Sequence, residues 1–236
     1  MKITITQARR VLEIVDAGLV CGQGIPEPGK MCVEAAVCYA LGQPFGDEPK
    51  CVHPVVRCFK IALNDKSWSS NQARAKGMRR IAIAQLGSID AGFDSVKFLA
   101  ILSELTIRRI VPMALRSAAS VKGNESHRET MEDAAARCEM EGTRESALAA
   151  RKSADAAAAA AYAYADADAA AAAAYAADYA YAAAYAAAYA DAAAYAAAYA
   201  DADAKDKYLT ICAEIGVDAL RAAGSHGIKL MDELGI

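Results

Sequence analysis

Between Thr143 and Ile215 the chain contains neither glycine nor proline, and residues 154–204 are almost wholly alanine, tyrosine and aspartate. Alanine forms helix more readily than any other residue, by about 1 kcal/mol over glycine and about 3 kcal/mol over proline. The expected conformation is therefore one long helix over residues 143–222, whose alanine-rich part alone would reach roughly 75 Å at about 1.5 Å per residue. Such a span exceeds the width of a small domain. The sequence reads as all-α, with a compact multi-helix head over 1–123, a connecting helix over 124–142, the Ala/Tyr/Asp-rich helix over 143–222 and an apolar C-terminal segment over 223–236.

Within the tract, tyrosines recur at a spacing of four through Tyr181, Tyr185 and Tyr189 and again at Tyr195 and Tyr199. At about 100° per residue these five share an arc of about 120°. A helix so poor in charge exposes a long apolar surface, and tyrosine rings packed on alanine let backbones approach closely. Self-association through these tyrosines is the expectation, giving a homo-oligomer. A solvated spacer expanded by repeat slippage is the alternative. A membrane span is not expected, because Asp166, Asp168, Asp178, Asp191, Asp201 and Asp203 interrupt every window of about 20 residues and charge is costly in lipid.

Charge divides the chain as sharply as composition does. Residues 1–123 carry 17 Lys and Arg against 10 Asp and Glu, net +7, whereas residues 124–236 carry 9 against 19, net −10. A basic head suits an anionic partner, either a phosphate-bearing ligand or an acidic protein surface. Seven cysteines at irregular spacing, with Arg9 and Arg10 followed by an amphipathic acidic helix instead of an apolar run, favour free thiols in a reduced cytoplasm over a secreted disulfide framework.

Along the head, apolar residues at helical spacing predict a helix from Thr6 to Leu19 and a short buried helix in KMCVEAAVCYALG with Cys32 at its start. Pro54 suits the first turn of a third helix bearing Val55, Cys58, Phe59 and Leu63. Ser69 with Gln72, and Ser126 with Glu129, have capping-box spacing. Pro112 should kink or break the helix over 94–121 near Ile110. Leu230, Met231, Leu234 and Ile236 require an apolar surface to dock on.

Three constellations could carry chemistry. Cys32 at a helix N-terminus has the dipole that favours a thiolate, and His53, the head's one histidine, could serve as its base with Glu34, Asp47 or Asp65 orienting the ring. Cys32, Asp47, Cys51 and His53 could furnish a mixed metal set, although the spacing matches no ordinary zinc knuckle. Arg74, Lys76, Arg79, Arg80, Arg108 and Arg109 could form a phosphate-binding patch, with Trp68, Ser69 and Ser70 as a pocket at a helix start. Each has a plain structural reading beside it: core thiols, solvated helix faces, a hydrophobic anchor with its cap. No cofactor is implied.

The strings PGKMCVEAAVCYALGQPFGDEPKCVHP and IALNDKSWSSNQARAKGMRRIAIAQLGS resemble an uncharacterised family of bacterial and bacteriophage-encoded proteins that pair a cysteine-bearing helical head with an Ala/Tyr/Asp repeat of variable length. The family's motif residues fall on Cys32, Glu34, Asp47, Cys51, Asn64, Asp65 and Trp68. The resemblance implies a microbial or phage setting and no particular reaction. The resulting expectation is a non-enzymatic binding or scaffold protein, possible partners being a host protein or a phosphate-bearing ligand. A Cys32/His53 enzyme and a nucleotide or nucleic-acid binder are the alternatives.

Overall fold

The structure is a computed structural model of the full chain and describes residues 3–163, 167–185 and 202–236. Among the described residues there are ten α-helices and no strand, so the all-α expectation holds. The chain divides into two compact units, Met1–Ile101 with Ala202–Ile236, and Leu102–Asp201. This boundary is not the one expected from composition. Residues 202–236 belong with the first hundred, and residues 102–123 belong with the alanine-rich part.

The first unit contains α1 (Ile5–Asp16), α2 (Val33–Ala40), α3 (Pro54–Asn64), α4 (Asn71–Ala84), the opening turns of α5 (Ser95–Ser120), α9 (Ala202–Ala222) and α10 (Gly227–Leu234). Local chemistry sets the helix starts. Thr4 and Gln7 form a reciprocal capping box on α1, Pro54 occupies the first turn of α3, and Ser70 caps α4 by accepting the Ala73 N–H. The cap of α4 is thus Ser70 and not Ser69, whose neighbour Gln72 instead donates to the Ala17 carbonyl at 3.1 Å.

Helix α4 is the hub, with α1, α2, α9 and α10 all packed against it. Missing side chains permit that closeness. A Cβ on Gly77 would sit 2.3 Å from the Trp68 ring, one on Gly216 would sit 2.5 Å from Ile81, and one on Gly227 would sit 2.1 Å from the Ile83 carbonyl. Helices α9 and α10 bury Leu209, Ile215, Leu220, Leu230 and Met231, so the apolar ending docks through Leu230 and Met231, while Leu234 and Ile236 are only half-buried.

The second unit holds the rest of α5, a 3-10 turn (Glu125–His127), α6 (Arg128–Glu141), α7 (Arg144–Ala163) and α8 (Ala167–Tyr185). Helix α5 runs unbroken through Pro112, contrary to the expected break. Ser126 does not cap α6, which begins at Arg128 after the 3-10 turn without a side-chain cap. Gly142, at φ 62°, ends α6 in the left-handed region, and Arg108 donates to the carbonyls of Glu139, Met140 and Glu141 at 2.7–3.0 Å, completing the terminus.

The single rod expected over 143–222 is not what forms. Helices α7 and α8 are packed along one another, which two stretches of one straight helix cannot do, and α9 belongs to the other unit. The buried alanines include a series with seven-residue rhythm, Ala147, Ala150, Ala154, Ala157 and Ala161 on α7 and Ala169, Ala173, Ala176 and Ala180 on α8, and Ala158, Ala170, Ala172 and Ala177 widen the buried face. Alanine's helix propensity is satisfied equally by one helix or by two, but only two can cover each other's apolar stripes. Asn124 fastens the start of α8, donating through Nδ2 to the carbonyls of Ala118 and Ala169. Among the described residues no helix is long and apolar enough to cross a membrane.

Candidate functional site

The chemistry-bearing feature of the first unit is a pair of opposite charges sealed in its core. Glu34 lies in the first turn of α2, where the helix dipole favours a carboxylate. Lys60 lies on α3 between the buried residues Phe59 and Leu63. Both side chains have 0% exposure, and Nζ is 3.2 Å from Oε1. Despite that proximity, neither carboxylate oxygen nor the Lys60 nitrogen has a hydrogen bond of ordinary geometry. Gln85, fully buried at the C-cap of α4, borders the carboxylate. Its Nε2 donates to the Ala82 carbonyl at 3.5 Å, and its Oε1 has no partner.

Burial governs the protonation of this cluster. It pushes the Glu34 carboxyl above its ordinary value and the Lys60 amine below its own, and the attraction between the two opposes both shifts. The surrounding thiols feel the same dry interior. Cys51 is pushed up to about 11 and Cys38 to about 12, in each case by desolvation first.

Cys32 does occupy the N-terminus of α2, and its Sγ accepts the Ala35 N–H at 3.3 Å. The thiolate alternative is disfavoured and the core-thiol reading fits, because desolvation outweighs the N–H groups and raises the thiol above its ordinary value. The thiol therefore serves as a neutral cap. His53 is likewise a cap, its Nδ1 accepting the Val55 N–H at the start of α3, while the ring lies against Phe93 at 5.5 Å between centroids. Cys32 and Asp47 share a cavity of about 20 Å³ with Gly22, Gln23, Val33, Ile61, Asn64 and Asp65, and His53 is not among its lining residues. Asn64 is saturated there, accepting from Val33 and donating to Val20 and Asp65. The candidate metal set of Cys32, Asp47, Cys51 and His53, raised as an alternative to core packing, does not assemble, for among the described residues no three such ligands come together.

The basic residues do not form the expected single patch either. Arg74 is buried and donates to the carbonyls of Asn64, Leu19 and Lys66 and to Asn71 Oδ1, bolting the start of α4 to the loops around it. Arg79 pairs with Asp16, and Arg80 with Glu214 of α9. Lys76 is exposed on α4. Arg108, the cap of α6, and the exposed Arg109 belong to the second unit. With α9 and α10 counted, the first unit carries 17 basic against 15 acidic residues, net +2, because residues 102–123, net +3, fall in the other unit and residues 202–236, net −2, offset half of what remains.

Trp68 is buried, its Nε1 donating to the Leu63 carbonyl, and Ser69 is bound through its N–H and hydroxyl to Asp206 of α9. With Ser70 capping α4, that constellation is an anchor between helices, not a pocket. Of the tyrosines assigned to self-association, Tyr181 and Tyr185 fall on the α8 backbone, but their side chains, like Tyr189, Tyr195 and Tyr199, lie outside the described residues.

Lys60 and Gln85 were not singled out from sequence. The clue was present in VVRCFKIAL, where Lys60 stands four residues after Val56 and three before Leu63, on the apolar side of the helix. A lysine in that stripe needs a buried acid, and Glu34 is the one carboxylate in the otherwise largely apolar α2. Comparisons with family models, curated proteins and solved structures found no match.

Proposed function

We propose that this chain is a non-enzymatic binding or scaffold protein that self-associates through its alanine- and tyrosine-rich region, acting in the cytoplasm of a microbial or phage-infected cell and engaging a host protein or a phosphate-bearing ligand. The observation that carries the reading is the seam between α7 and α8. There, alanine faces of this chain already cover one another at seven-residue spacing. Small side chains let such helices pack closely, and closeness gives dispersion contacts along the whole seam. Residues 186–201, which lie outside the described residues, continue the same composition with Tyr189, Tyr195 and Tyr199. A further copy of the same surface is its natural complement.

Sedimentation velocity over a hundredfold range of concentration tests this. The full chain is expected to sediment as an oligomer, and a variant with Tyr181, Tyr185, Tyr189, Tyr195 and Tyr199 all changed to serine should fall apart to monomer. A full-length protein that stays monomeric at every concentration refutes the reading.

A further inference from the structure

The Glu34–Lys60 contact differs from an ordinary buried ion pair in what surrounds it. Buried pairs persist when further hydrogen bonds satisfy their remaining oxygens and protons. Here both carboxylate oxygens, the ammonium nitrogen and the neighbouring Gln85 Oε1 are all left without a partner of ordinary geometry, in an interior that excludes solvent from both side chains. Moving one proton from Lys60 to Glu34 removes both charges, which is the direction in which burial pushes each group. The result is a neutral amine held against a carboxylic acid. One is a nucleophile and the other an acyl group, and neither can move away.

We propose that Lys60 and Glu34 form a self-modification site, at which an intramolecular isopeptide bond joins α3 to α2. In the step, the lone pair of Lys60 Nζ forms a bond to Glu34 Cδ, the bond from Cδ to its hydroxyl oxygen breaks, and that hydroxyl leaves as water with a proton from the attacking nitrogen. One N–C bond replaces one C–O bond, and no oxidant, metal or second substrate enters the balance. Fixed proximity supplies the rate, since groups held in contact react as if at concentrations of about 10⁵ M or more.

The product also suits its surroundings better than the reactants do. Two oxygens and three N–H groups that lack partners of ordinary geometry become one carbonyl and one N–H beside the buried Gln85 side chain. In water the separated ions would be favoured over the amide. In a dry core the ions lose their hydration, and the neutral amide gains by comparison.

Intact-mass spectrometry of the purified, denatured full chain decides the matter. The expected mass lies about 18 Da below that of the sequence, the loss of one water, and a peptide map should contain one branched species joining the Glu34 and Lys60 fragments. Glu34→Gln should close the same bond with loss of ammonia, about 17 Da. Lys60→Met should show the full mass of its own sequence and no branched peptide. A wild-type chain at full sequence mass, with Glu34 and Lys60 in separate linear peptides, overturns the proposal. So does a water loss that maps to other residues. The wild-type measurement decides even if a variant fails to fold.

Discussion

The two units solve the problem of building a helical core in opposite ways. In the first, the core is made of dissimilar pieces, with Trp68, Phe98, Met78 and several leucines and isoleucines around buried polar groups that each have one place to go, such as Arg74 and Asn64. In the second, α5 and α6 bury larger residues such as Ile110, Leu115 and Met131, but the buried positions of α7 and α8 are almost entirely alanine. A jigsaw core specifies one arrangement, because any other strands a polar group or opens a void. A seam of identical small residues gains from burial in nearly any register that keeps the stripe inward, so it is tolerant of slippage and easily repeated. Uniqueness therefore resides in the first unit, and extensibility in the second.

The sharpest way to break this contrast is to remove a polar bolt from the first unit. Arg74→Ala would leave the carbonyls of Leu19 and Asn64 without the side-chain donor they share, while the Lys66 carbonyl keeps the Trp68 N–H. At about 1–3 kcal/mol for each buried group left unpaired, the expected loss is about 4 kcal/mol. Trp68, the single tryptophan of the chain and a buried residue of this unit, reports it directly by fluorescence during urea unfolding. A loss below about 1 kcal/mol would place Arg74 among ordinary surface charges and remove the case for a polar-locked core.

What could be read in the sequence follows the same contrast. The all-α class and the Pro54 start came from propensities and caps, which act over a few residues. The return of α9 to the first unit rests on partners such as Arg80 with Glu214 and Ser69 with Asp206, more than 130 residues apart, and no local pattern announces them. In the tract, propensity decided for helix but could not place its ends, because successive alanines are equivalent and only the covering of one stripe by another distinguishes two helices from one. Cys32 stands at a helix start as the spacing indicates, and of its two readings the sequence shows only the dipole that would favour a thiolate, while the depth of burial that overrides it is not visible there.

A smaller effect separates the units by pH. Cys212 of α9 is pushed up to about 12 by burial alone, from an ordinary value of 9.0. Because its folded value is raised, the stabilisation is fully present below pH 9 and is lost as pH climbs toward 12, where the unfolded chain has released the proton and the folded chain still holds it. At about 1.4 kcal/mol per unit, this one thiol should cost the fold about 2 kcal/mol between pH 9 and 11. Cys212→Ala should remove that share of the alkaline loss seen in Trp68-monitored unfolding. An unchanged alkaline slope would mean that the thiol is reached by solvent. Cys38 and Cys51 add to the same limb in the first unit, whereas the second has Cys138 alone.

The smallest effect sharpens the comparison from the other side. Ala154→Gly and Ala173→Gly each delete one methyl from the seam and add backbone freedom to a helix interior, at a cost of about 1 kcal/mol apiece. Both positions are fully buried, so the lost contact and the lost propensity act in the same direction. If the seam is a sum of near-equal increments, the two substitutions should cost nearly the same, and their combination should cost their sum, read by far-ultraviolet circular dichroism on heating. A double variant that loses far more than that sum would show that the seam unfolds as a specific, cooperative interface. The distinction drawn between a core of unique pieces and a core of repeated ones would then fail in the unit where repetition is most evident.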